Sequence, residues 1–146
     1  LSLPARQAAQ SLESAAPVIA EPPAISAGAT VLVVEDEASV RAFVSETLAG
    51  HGYGVIEAAD SKAGLRLLQS DIPIDALVTD IGLPGGMDGH RMVLESRAAR
   101  PGLPVLFMTG YARPEVLDNS PLEARVLTKP FALEALLRSV DVLLKR

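Results

Sequence analysis

The chain has no cysteine and no tryptophan, and its remaining aromatics are three Phe and two Tyr. The first absence excludes disulfides, thiolate metal sites and cysteine nucleophiles together. The second leaves the core to aliphatic side chains. No run of Lys or Arg occurs and the formal net charge is −5, so the sequence predicts no direct binding of nucleic acid through charge. No apolar stretch approaches the roughly 18 residues of a membrane span. Leu1-Ser2-Leu3-Pro4 also lacks the basic start and apolar run of a signal peptide. A cytoplasmic protein without membrane contact is the expectation, and a first residue other than Met points to an excised fragment or a processed chain. What remains is a chain of 146 residues, 49% hydrophobic, sufficient for one domain with a real core.

Residues 1–29 are rich in Ala, Pro and Ser, with Pro17, Pro22 and Pro23 interrupting any helix. They read as a linker or tail with one short helix around residues 6–15. The texture changes at Thr30. Val31-Leu32-Val33-Val34 is an unalternating aliphatic run that suits a strand buried on both faces, and it ends abruptly in Glu35-Asp36-Glu37. Val40, Phe43, Val44, Thr47 and Leu48 fall at helical spacing before Gly50 and Gly52. Residues 55–58 predict a second strand. Ser61 is expected to cap a helix with Leu65 and Leu68 inward, and residues 74–79 predict a third strand ending in Asp80. A third helix is expected over 91–99, and a fourth strand over 105–108 ending in Thr109. A weak helix after Pro114 and a fifth strand over 126–128, ending in Lys129, complete the alternation. The last helix, 133–144, places Leu133, Leu136, Leu137, Val140 and Leu144 on one face. Five strands alternating with five helices require a parallel sheet with right-handed crossovers. The expected fold is a doubly wound α/β domain over residues 30–146.

In open parallel sheets, ligands bind beyond the carboxyl ends of the strands. Glu35 and Asp36 follow the first strand, Asp80 the third, Thr109 the fourth and Lys129 the fifth, so one rim would gather five polar residues distant in the chain. Taken singly, an acid at a strand end is more often solvated or a helix cap than functional. The weight lies in the coincidence at four strand ends. Three clustered carboxylates repel, each pair by about 3 kcal/mol at ~5 Å and an effective dielectric of ~20, and so favour a bound cation. Oxygen donors without His or Cys suit a hard ion, and Mg²⁺ fits best because it keeps waters and favours phosphate. Lys129 offers a compact positive charge to a phosphoryl oxygen, and Thr109 a hydroxyl. A carboxylate beside a divalent ion and a lysine is suited to attack on phosphorus, giving an acyl phosphate.

Four segments carry a resemblance: Val33-Val34-Glu35-Asp36-Glu37; Val78-Thr79-Asp80 with Leu83-Pro84 and Asp88-Gly89; Met108-Thr109-Gly110; and Thr128-Lys129-Pro130-Phe131. In this order and spacing the chain from Thr30 onward resembles the receiver domains of response regulators in two-component signalling. The resemblance implies a flavodoxin-like fold with strand order 2-1-3-4-5. It implies a signalling phosphoacceptor rather than an enzyme, with intrinsic Mg²⁺-dependent self-phosphorylation and dephosphorylation. Asp80 would take the phosphoryl group from a histidine kinase or a histidine phosphotransfer domain. Asp36 would bind Mg²⁺ directly and Glu35 through water, with Asp80 and the backbone carbonyl of Gly82 completing the protein's donors. Thr109 and Lys129 would contact the phosphoryl group. A weak homodimer is left open.

Three departures from the family pattern matter. Glu35 stands where Asp is more usual, which lengthens the side chain and keeps the charge. Gly85-Gly86 lengthens the loop after Asp80 by one residue, a form similar to receivers attached to hybrid sensor histidine kinases. Val126 replaces the aromatic usually found three residues before the lysine, which leaves Tyr111 as the switch candidate. Rival readings fail on single positions. A nucleotide- or flavin-binding protein needs a Gly- or Ser-rich loop where Glu35-Asp36-Glu37 stands. A dehalogenase-type phosphatase needs an acid where Gly82 stands. His51 and His90 lack metal-spaced partners and read as surface residues, while Met87 and Met92 read as packing.

Overall fold

A computed structural model describes residues 28–110, 117 and 124–145. In chain order its elements are β1 (Thr30–Val34), α1 (Ala38–Gly50), β2 (Gly54–Ala58), α2 (Ser61–Leu68), β3 (Ala76–Asp80), α3 (Gly89–Ser96), β4 (Val105–Thr109), β5 (Arg125–Thr128) and α4 (Leu133–Lys145). The strands form one parallel sheet in the order β2-β1-β3-β4-β5, which is the flavodoxin-like order 2-1-3-4-5. Register sets Val34 between Ala58 and Thr79, Asp80 beside Met108 and Thr109 beside Thr128, so the carboxyl ends form a common rim.

The unalternating strand sequences follow from burial on both faces. Leu32, Val34, Leu77, Val105 and Phe107 point to one side, where Leu68, Met92 and Val93 of α2 and α3 cover them. Val31, Val33, Ala76, Val78, Leu106 and Met108 point to the other, under Val44 and Leu48 of α1 and Leu136 and Val140 of α4. Met92 is fully buried and Met87 packs partly against the first cluster, as expected of packing residues.

Helix ends and faces differ from the sequence expectation for local reasons. Asp60, not Ser61, caps α2: its carboxylate accepts the Ala63 N–H at 2.8 Å, and Ser61 becomes the first helical residue. α3 starts two residues early because Asp88 caps it, accepting the Arg91 N–H at 2.8 Å, and it stops at Ser96. β3 begins at Ala76 and includes Asp80. Phe43 is exposed, because α1 turns Val44, Ser45 and Leu48 inward, and its ring lies 6.2 Å from that of Phe131. Leu133, in the first turn of α4, is exposed as well. His90 is not a surface residue: it is buried, with its ring 6.3 Å from that of Phe107. Gly52, with φ +100, ends α1 as expected, and the His51 and Gly52 N–H groups donate to Leu48 and Ala49 carbonyls. Four helices lie among the described residues. The expected helix after Pro114, the tail over residues 1–27 and Tyr111 lie outside them, apart from Leu117, which is buried.

Candidate functional site

The β1 run ends at Val34, and the Glu35 N–H still pairs with the Ala58 carbonyl at 3.1 Å, so Glu35 stays in the sheet plane and is buried. Asp36, one residue on, is exposed at the rim. Asp80 ends the central strand β3, with its carboxylate facing theirs. One carboxylate oxygen from each of Glu35, Asp36 and Asp80 lies within 4.8 Å of the others. Lys129 enters from the end of β5, where its N–H donates to the Thr109 carbonyl at 2.7 Å. Its Nζ bridges two of the acids, at 3.0 Å from Asp80 Oδ2 and 3.1 Å from Glu35 Oε1. Four of the five rim residues therefore meet through their side chains. Thr109, buried at the end of β4, joins them through its strand position and its backbone.

Backbone donors hold the acids in place. Asp80 Oδ1 accepts the Gly82 N–H at 3.1 Å, and Glu35 Oε2 accepts the Glu37 N–H at 3.0 Å. Gly82 thus lies against Asp80 through its N–H. Arg41 is a contributor that sequence reasoning missed. Its guanidinium donates to the Glu35 carbonyl at 2.8 Å and lies 3.4 Å from Glu57 on β2, pinning the turn that carries the acidic pair. Its position one helical turn after Glu37 was the only available signal.

The electrostatics of the rim are unbalanced. Burial raises the Glu35 pKa above the usual value and the Asp80 charge adds to this; the Glu37 N–H and Lys129 offset it only in part. Burial alone would lower Lys129, but its hydrogen bonds to Asp80 and Glu35 outweigh that, and its pKa lies above the ordinary value. Among the described residues one ammonium faces three carboxylates, which leaves negative charge uncompensated at an oxygen-only donor set. Such a set fits a hard divalent cation. A groove of about 460 Å³ opens beside Lys129, lined by Ser39, Val40, Phe43, Gly110, Pro130 and Phe131.

Among the described residues no helix is long and apolar enough to cross a membrane. Val126, where the family pattern has an aromatic, is half-buried beside Phe107 in the neighbouring strand.

Comparison with known proteins agrees with the fold. The profile of the response regulator receiver domain matches residues 31–141. The sensor kinase CckA of Brucella abortus is 35% identical over 125 residues, which cover 84% of this chain and 13% of the kinase. The response regulator MprA of Mycolicibacterium vanbaalenii is 38% identical over 120 residues, covering 80% of this chain and 50% of that protein. The chain therefore spans only part of either relative. Among solved structures, a response regulator receiver protein from Sinorhizobium medicae superimposes with a TM-score of 0.74 at 29% identity, over 80% of this chain and 94% of that one. The chain belongs to the response regulator receiver domain family.

Proposed function

We propose that this receiver of two-component signalling accepts a phosphoryl group on Asp80 from the phosphohistidine of a histidine kinase or histidine phosphotransfer domain. Mg²⁺ would be held by Asp36 directly, by Glu35 through water, and by Asp80 and the Gly82 carbonyl. The observation that carries this reading is the rim itself: three converging carboxylates, with a single lysine bridging Asp80 and Glu35.

The chemistry follows from these positions. A carboxylate oxygen of Asp80 forms a bond to phosphorus as the bond from phosphorus to the donor's imidazole nitrogen breaks. The electron pair stays on that nitrogen, and the product is an acyl phosphate. Gly82 and Lys129 each hold one Asp80 oxygen, which fixes the carboxylate for attack and removes the freedom a solvated aspartate would have. Mg²⁺, when bound, supplies the positive charge that the acids and the phosphoryl oxygens lack. Lys129 neutralises a further phosphoryl oxygen. Thr109 would sense the new group through its hydroxyl, and its carbonyl bond to Lys129 ties that response to β5. Because Val126 is aliphatic, Tyr111 remains our candidate for the aromatic of the switch, on sequence grounds. The same site would take phosphoryl groups from small donors and lose them by hydrolysis, and a cytoplasmic setting completes the proposal.

A donor protein approaching Asp80 would dock in the groove beside Lys129, with exposed Phe43 as its apolar anchor. Incubation with acetyl phosphate and Mg²⁺ should add one phosphoryl mass to the wild type and none to Asp80→Asn. The group should be stable to acid and labile to base. Equal labelling of both proteins would refute the assignment.

A further inference from the structure

We infer that Gly89 is a positioning residue of the phosphoacceptor site: its missing side chain lets the start of α3 seat against the Asp80 backbone and fixes the loop carrying Gly82. The inference rests on the reading of Asp80 and Gly82 given above.

The glycines of this chain serve different physical purposes. Gly85 and Gly86 have φ of +93 and +89 with open space around them, so they are required by backbone conformation. Gly89 is different. It has no left-handed φ, yet a Cβ placed on it would lie 2.2 Å from the Asp80 carbonyl oxygen, 3.1 Å from the Asp80 carbonyl carbon and 3.1 Å from Ile81 Cα. All three are backbone atoms, so no change of rotamer can relieve the overlap. The strand end or the helix start must move instead.

What would move is the site. The Asp80 carbonyl accepts the Thr79 hydroxyl at 3.0 Å, and the Gly89 N–H donates to the Ile81 carbonyl at 2.9 Å. That second bond joins the two ends of the 81–89 loop immediately beside the phosphoacceptor. Gly82 lies one residue inside the closure, with its N–H on Asp80 Oδ1 at 3.1 Å. A side chain at position 89 therefore parts the loop ends, shifts Ile81 and displaces Gly82 relative to the Asp80 carboxylate. Ordinary packing requires no such outcome. At Gly64 a Cβ would also be crowded, 2.8 Å from Met92 Sδ and 2.9 Å from Val34 Cγ2, but those are side-chain atoms in the layer between helices and sheet and can repack.

Gly64→Ala is thus the control for Gly89→Ala. Both should lower stability in urea without metal. Calorimetric titration of Mg²⁺ separates them. Gly89→Ala is expected to bind about 10-fold or more weakly than wild type, as for loss of an outer-shell support. Gly64→Ala should stay within about twofold, as expected of an uncoupled site. Wild-type Mg²⁺ affinity in Gly89→Ala would overturn the inference and leave the Asp80 reading intact. A wild type that binds no Mg²⁺ would overturn both. Should Gly89→Ala fail to fold, the wild-type amides decide: the Gly89 N–H is expected to be protected from hydrogen exchange without metal, and exchange at the rate of an open loop would end the proposal.

Discussion

The two ends of the sheet handle polar groups in opposite ways. At the amino ends of the strands, polar groups are matched among the described residues. Arg100 donates to the carbonyls of Leu68, Ser70 and Ile72 at 2.7, 2.8 and 2.6 Å, closing the end of α2 and the turn into β3. The Thr30 N–H donates to Asp75 at 2.7 Å, and Tyr53 donates its hydroxyl to Asp141, which also lies 3.2 Å from His51. At the carboxyl ends, three acids share one lysine, and the most buried of them has a raised pKa. Matched polar groups hold a fold together, because each buried donor or acceptor is satisfied by its neighbours. An unmatched cluster is strained until something binds. On the function proposed above, the first end is structural and the second is the working end.

Substitutions should separate the ends cleanly. The largest effect is expected from Lys129→Ala, which removes the ammonium that bridges Asp80 and Glu35. Labelling of Asp80 by acetyl phosphate should slow by roughly 100-fold or more, the scale seen when a charge-stabilising donor is lost from a reactive site. Arg100→Ala should do the reverse. Losing three charge-assisted bonds to carbonyls should lower unfolding stability by about 2–3 kcal/mol, while the labelling rate stays as in wild type. If Arg100→Ala slowed labelling as much as Lys129→Ala, the division between the ends would be wrong. Phe43→Asp tests the boundary of the working end. It should weaken transfer from a phosphohistidine protein by roughly 10-fold through lost apolar contact, and leave labelling by acetyl phosphate unchanged.

The smallest effect is a pH dependence, and its sign is shared by the two ends. Glu35 is raised by burial above its ordinary 4.5, so the stability tied to it is complete below that value and lost as pH rises through the raised pKa. Tyr53 is raised above its ordinary 10.0 by burial and by Asp141, so its contribution persists through neutral pH and is lost above that value. Lys129, also raised, loses its contribution in the same alkaline range. Urea unfolding against pH should show both declines. Saturating Mg²⁺ should remove the acidic one, because it compensates Glu35, and Tyr53→Phe should reduce the alkaline one alone.

Much of this was legible in the sequence because strands buried on both faces are written as continuous aliphatic runs. Val31–Val34 fixes the position of Glu35, and the abrupt polar endings fix Asp80, Thr109 and Lys129. Their convergence needed only the parallel topology. Helix boundaries were less legible, since Asp60 and Asp88 compete with neighbouring residues for the cap and only the backbone geometry selects between them. The exposure of Phe43 and Leu133 and the burial of His90 depend on how α1, α4 and α3 rotate against the sheet, which periodicity alone does not fix. Arg41 and Arg100 bond to backbone carbonyls, and a carbonyl leaves no mark in the sequence.

The most direct test of the central claim is to locate the phosphoryl group chemically. After labelling with acetyl phosphate and Mg²⁺, borohydride reduces an acyl phosphate to the corresponding alcohol, which turns the modified aspartate into homoserine. Peptide mass spectrometry should find homoserine at position 80 and nowhere else. Homoserine at Asp36, or label retained on Ser, Thr or His with Asp80 unaltered, would contradict the account.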